Sequence, residues 1–173
     1  FKPPRTSFFL LYIDNRPATQ VDVPAGTSKL PPLEEMQWCL FKRKVYFKTA
    51  NDRLPDAFDL SYTHAQVGIT IVNCQHVVVE NLIVQGFQLD GVNVHDNVFA
   101  ARLLEITSRG NGRSGISVGG ASRVQIEACL LGNNGAAQLR TEGHSVTTLK
   151  NNDLIDTNPL APAVVSDGGT IIR

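Results

Sequence analysis

The C-terminal two-thirds of the chain repeats itself about every 23 residues, and no other feature constrains its fold as tightly. When Gly68–Asp90, Gly91–Ser114, Gly115–Ala137 and Gln138–Pro162 are set one above another, three apolar columns align. Ile69, Val92, Ile116, Leu139 and Val164 form the first. Val79, Leu103, Ile126 and Leu149 form the second, and Val84, Ser108, Leu131 and Leu154 the third. A unit this short cannot bury its own apolar face, so its copies must stack into one continuous core, as in a solenoid.

Within each repeat, short apolar runs are separated by Asn, Gly and Asp turns, and no helical period interrupts them. The first coil is expected to run through strands at 69–72, 77–79 and 82–84, with a turn at Gly86. The columns lack the Leu/Asn consensus of a leucine-rich repeat and show no period of six. Three short strands in about 23 residues fit an all-β, right-handed parallel β-helix, here of about five to six coils. In-register stacking places Asn111 over Asn134, where their amides can hydrogen-bond along the axis. Phe87 falls over the same column and is expected to fill a turn or the core.

Residues 1–44 lack the repeat and are punctuated by proline, so they read as an irregular lead-in and cap, with 45–173 as the β-helix domain. Phe8–Ile13 is expected to be a strand, and Leu33–Lys42 a short helix or a strand. Val45–Lys48 and Phe58–Tyr62 alternate like strands, with Asn51–Pro55 as the turn between them. Trp38, Tyr46, Phe47, Phe58 and Tyr62 are expected to seal the first coil, because an open β-helix end exposes unpaired edges. Val164–Ser166 and Thr170–Ile172 read as a last coil without a cap. This carries two expectations: a fragment of a longer β-helix, or self-association through the open C-terminal coil.

Sixteen basic and sixteen acidic residues cancel, which argues against a general nucleic-acid binder with a basic face. No apolar run reaches the roughly 18 residues of a membrane span. The chain starts at Phe1 without Met, so a processed or truncated chain with its signal sequence removed, extracellular or periplasmic, is expected. Cys39, Cys74 and Cys129 are odd in number and match no zinc spacing. They read as small buried apolar residues, with one disulfide as the alternative.

The run GITIVNCQHVVVENLIVQGFQLDGVNVHDN (Gly68–Asn97) resembles the pectate-lyase-like right-handed β-helix superfamily. Met36–Tyr62 is similar to the tryptophan-led segment that opens bacterial β-helix proteins. The superfamily contains polysaccharide lyases, glycoside hydrolases, epimerases and many repeat proteins without assigned activity. The resemblance therefore implies an association with carbohydrate more than it implies one reaction.

Gln88-Leu89-Asp90-Gly91-Val92 looks like the turn that carries a catalytic Asp in polygalacturonases, which would make Asp90 an acid or base. The next coil offers Gly110–Gly115 without a carboxylate, and Asn133-Asn134-Gly135 stands where that family carries Gly-His-Gly. His95 and Asp96 are neighbours, and such a carboxylate can orient an imidazole. Arg109, Arg113, Arg140, Glu142 and His144 recur on successive coils as a mixed-charge strip suited to an anionic or hydroxyl-rich glycan. The expectation is a carbohydrate-associated module, binding or structural, without complete catalytic machinery. The alternative is a polysaccharide-degrading hydrolase or lyase, or a fragment of one, using Asp90, His95 and Asp96. No metal-ligand set is read and no cofactor is expected, Ca²⁺ being the one ion that uronate elimination would call for.

Overall fold

The computed structural model describes residues 10–50, 53–157 and 161–173. They form two compact units, divided between Thr63 and His64. Among the described residues no helix is long and apolar enough to cross a membrane.

The first unit holds β1 (Leu11–Ile13), β2 (Arg16–Pro17), β3 (Thr19–Gln20), β4 (Gln37–Phe41), β5 (Lys44–Phe47) and β6 (Leu60–Tyr62), with one 3₁₀ turn at Pro55–Ala57. β1 lies between β2 and β6, antiparallel to both. β4 pairs parallel with β3 and antiparallel with β5. Asp14 and Asn15 both take positive φ (51° and 59°), the requirement of the two-residue turn that joins β1 to β2. Leu11, Ile13 and Trp38 are buried together, with Met36, Phe47 and Phe58 packed against them. The ambiguous segment Leu33–Lys42 is therefore a strand over Gln37–Phe41. Of the strand expected at Phe8–Ile13, Leu11–Ile13 is present and Phe8 and Phe9 lie outside the described residues. The turn read at Asn51–Pro55 also includes two residues, Asn51 and Asp52, outside that set.

The second unit is a right-handed parallel β-solenoid of about four turns. The first sheet stacks β7 (Ile69–Val72), β10 (Asp90–His95), β13 (Ser114–Val118), β16 (Ala137–Glu142) and β19 (Val164–Asp167). The second stacks β8 (Val78–Glu80), β11 (Ala101–Leu104), β14 (Arg123–Glu127), β17 (Val146–Lys150) and β20 (Thr170–Ile172). The third stacks β9 (Ile83–Gln85), β12 (Thr107–Arg109), β15 (Leu130–Gly132) and β18 (Asp153–Leu154).

All three columns read from the sequence are true register partners. Val92 pairs with Ile69 and Ile116, and Leu139 with Ile116 and Val164. Leu103 lies between Val79 and Ile126, and Ile126 pairs onward with Leu149. Ser108 lies between Val84 and Leu131, which pairs with Leu154. Val92, Leu103, Ile116, Ile126, Leu131 and Leu139 are each 0% exposed. Burying an aliphatic side chain of this size is worth about 1.5–3 kcal/mol, so the stacked columns supply the main cohesion.

The coil count is lower than the expected five to six. Val45–Lys48 and Phe58–Tyr62, counted with the repeat, belong to the first unit as β5 and β6, antiparallel to β4 and to β1 respectively. The contact division thus falls at 63/64, later than the boundary drawn at 44/45.

The three corners of each coil differ in how firmly they fix chain length. From the second to the third column the spacing is always five positions: Val79 to Val84, Leu103 to Ser108, Ile126 to Leu131 and Leu149 to Leu154. That corner is held by Asn81, Glu105, Ala128 and Asn151, all at φ between 50° and 56°. The other two corners vary. Ile69 to Val79 is ten positions but Val92 to Leu103 is eleven, and Val84 to Val92 is eight but Leu154 to Val164 is ten. At the corner after the first sheet, Asn73, Asp96, Gly120, Gly143 and Gly168 stack, all with positive φ. A Cβ on Gly120 would fall 2.5 Å from the Asp96 carbonyl oxygen, so glycine is required there.

Inside the stack, Asn111 Nδ2 donates to Asn134 Oδ1 at 3.0 Å, as the in-register reading expects. Asn134 Nδ2 donates to Gln138 Oε1 at 2.9 Å, and Gln138 Nε2 to the Ala161 carbonyl at 3.1 Å. At the other end, the Phe87 backbone N–H donates to Asn111 Oδ1 at 3.2 Å, and the Phe87 side chain packs on the core. This buried polar ladder runs the length of three coils with its donors matched to acceptors, the condition under which buried polar groups are tolerated.

All three cysteines are free, with Cys39 and Cys129 buried and Cys74 half-buried. Burial pushes both the Cys39 and the Cys129 thiols up, away from the reactive thiolate. Iodoacetamide at neutral pH is therefore expected to label Cys74 first in the native protein, and Cys39 and Cys129 only after unfolding. Peptide mass spectrometry that found Cys129 labelled as fast as Cys74 would contradict this burial.

Candidate functional site

The outer face of the first sheet gathers most of the charged residues singled out in the sequence. Its shape begins at Gly91. A Cβ there would lie 2.1 Å from Ser108 Oγ and 2.8 Å from Asn111 Nδ2, so this position faces the interior and admits only glycine. Asp90, at the start of β10, is in register with Ser114. It is 0% exposed, yet its carboxylate is fully engaged. Arg113 Nε donates to Oδ1 at 2.9 Å and Arg113 Nη2 donates to Oδ2. The Ser114 hydroxyl also donates to Oδ1, and Asn93 Nδ2 to Oδ2 at 2.8 Å. Such a bidentate arginine–carboxylate pair is strong and geometrically specific. The hydrogen bond to Asp90 leads in pushing Arg113 up; burial opposes it, and the charges of Asp90 and Glu142 add to the rise.

Farther along the same face, Arg140 lies in register with Ser117 and Val165. Its Nε donates to Glu142, and its Nη2 is 3.9 Å from Asp167 Oδ2. Ser117, 3% exposed, lies between Asn93 and Arg140 in register. His95 ends β10, and its Nδ1 is 3.3 Å from Asp96 Oδ2, both side chains being about half exposed. Between His95 and Glu142 stands Gly119. A Cβ there would be 4.0 Å from His95 Cβ and 3.9 Å from Glu142 Cβ, so its absence leaves a notch between the two side chains.

The structure sorts the sequence candidates into three groups. Arg113 and Asp90 form one locked pair, while Arg140 and Glu142 form a second beside it. His95 and Asp96 form a third at the far end of β10. Asp90 lies five residues before His95, roughly 16 Å along the strand, so it does not join the imidazole in one catalytic cluster. With four donors on its two oxygens and no exposure, the Asp90 carboxylate is committed to holding Arg113, Ser114 and Asn93. Arg109 is elsewhere: it ends β12 on the third sheet, where Nε donates to Gln85 Oε1 at 2.9 Å. His144 is exposed in the corner between β16 and β17, its backbone N–H donating to the Gly120 carbonyl at 2.8 Å.

Asn93, Ser114, Ser117 and Asp167 belong to the face but were not singled out in the sequence. The register that aligns the apolar columns also places them, since Asn93, Ser117 and Arg140 each follow a column residue by one position. Among the described residues no group of three or more His, Cys, Asp or Glu side chains is placed to hold a metal ion.

No family model, curated protein or solved structure matches this chain. What the face offers chemically is a row of amide, guanidinium and imidazole groups on a parallel sheet, with its two innermost carboxylates already bound to arginines. Groups of this kind exchange hydrogen bonds with polyols and carboxylates, and fixing them on strands lowers the ordering cost of binding.

Proposed function

We propose that the outer face of the first sheet binds a glycan and that this chain carries no complete cleavage machinery of its own. The observation that carries the reading is the pairing of Asp90 with Arg113 and of Glu142 with Arg140, which leaves the face polar and ordered but ties up its central carboxylates. The likeness of Gly68–Asn97 to pectate-lyase-like β-helices supports the same ligand class. Glycoside hydrolysis would ask for two carboxyl groups free to trade protons across the bond.

The test is a panel of neutral and acidic polysaccharides, with and without Ca²⁺, read for binding and for new reducing ends or unsaturated products. Binding without cleavage is expected. Arg140→Ala and His95→Ala should each weaken it about tenfold, equivalent to about 1.4 kcal/mol. Products from any member of the panel would replace this reading with the enzymatic one, for which the exposed His95–Asp96 pair is the supporting observation. Silence across the panel would remove the glycan from the reading.

A further inference from the structure

The chain contains two Asn–Gly dipeptides, Asn111–Gly112 and Asn134–Gly135, and both asparagines are rungs of the buried ladder. Asn–Gly is the sequence most open to attack by the chain on itself, because glycine has no Cβ to hinder the approach of its nitrogen to the asparagine side chain. We propose that these two rungs are conformation-gated self-modification sites. They are inert while the coils are stacked, are converted irreversibly to aspartate and isoaspartate when the coils open, and cannot restack afterwards.

The step needs only water. The glycine nitrogen, having lost its proton to base, bonds to the asparagine Cγ. The Cγ–Nδ2 bond breaks and ammonia leaves, forming a five-membered imide. Water then opens either imide C–N bond, giving aspartate or isoaspartate.

In the folded coils the attacking and leaving nitrogens of that reaction are held by other partners. The attacking Gly112 N–H donates to the Phe87 carbonyl at 2.8 Å, and the Gly135 N–H to the Asn111 carbonyl at 2.8 Å. The leaving amide of Asn111 donates to Ser108 Oγ at 3.1 Å and Asn134 Oδ1 at 3.0 Å. That of Asn134 donates to the Ser108 carbonyl at 3.1 Å and Gln138 Oε1 at 2.9 Å. Both asparagines are only 1% exposed, which keeps base and water out.

The products do not fit. Aspartate at 111 would turn two donated hydrogen bonds into a carboxylate facing the Asn134 oxygen in a buried site. Isoaspartate routes the backbone through the former side chain and leaves a carboxylate as the branch, so the rung loses its amide donors as well.

The experiment uses the wild-type chain, held at mildly alkaline pH either native or in urea. Peptide mass spectrometry reads the gain from replacing NH₂ by OH, and an isoaspartate assay reads the rearranged product. Conversion at both rungs is expected to be at least ~100-fold slower in the native protein, because it must pass through a local opening of the stacked coils. Chains kept in urea briefly, before conversion, and chains kept until converted are then returned to buffer, and their melts are compared. Recovery of the native melt after brief exposure and its loss after conversion is the expected result. Equal conversion rates in native and unfolded protein overturn the gating. Equal recovery after brief and long exposure, whether high or low, overturns the block on restacking.

Discussion

Ile126→Asp is expected to abolish the native melt of the solenoid. Ile126 is 0% exposed on β14, in register with Leu103 on one side and Leu149 on the other. The substitution removes apolar burial worth about 1.5–3 kcal/mol and adds a carboxylate with no cation within the column. A combined cost of several kcal/mol is large against the 5–15 kcal/mol that holds a typical domain. Arg123→Gln, three residues earlier on the same strand at an exposed position, should shift stability by no more than about 0.5 kcal/mol. Circular dichroism melts of the two variants make the check. A normal melt for Ile126→Asp would mean that the second column does not face the core.

Arg113→Ala is expected to cost about 3 kcal/mol, toward the low end for breaking a buried ion pair because Arg113 keeps contact with solvent. The side chain is 26% exposed, whereas Asp90 is 0% exposed. Removing the guanidinium leaves the Asp90 carboxylate with only the Ser114 hydroxyl and the Asn93 amide. Deleting Asp90 instead frees Arg113 to turn toward water. The double variant Asp90→Ala/Arg113→Ala should therefore be more stable than the sum of the two single losses, as partners in contact show in double-mutant cycles. Denaturant unfolding of all four proteins measures this. Strict additivity would mean that the pair is not coupled and that Asp90 does not anchor the face.

The fold was legible because strand alternation and a fixed period leave few alternatives. Ile69, Val92, Ile116 and Leu139 could be placed in register from spacing alone, since a one-residue slip would turn each of them out of the core. The number of coils was less legible. Val45–Lys48 and Phe58–Tyr62 alternate just as solenoid strands do, and a local pattern does not tell an antiparallel partner from a parallel coil. The face was half legible. Arg113 follows Asp90 by one repeat, so their pairing was within reach of the spacing that aligned the apolar columns. Arg109 and His144 were grouped with Arg113 and Arg140 by charge, but charge carries no signal for which of three sheets or corners a residue occupies.

The corners suggest how such a molecule could change its ligand without changing its fold. The corner between the second and third sheets admits no variation in length, and it lies away from the first sheet. Both corners that do vary border the first sheet, one leading into its strands and one leading out. Extra residues have therefore entered only where they lengthen the rims of the polar face, leaving the columns aligned. Loops grafted at 96–100 or ahead of Val164 would reshape that rim, and with it the choice of ligand, while the stack beneath went on folding as before.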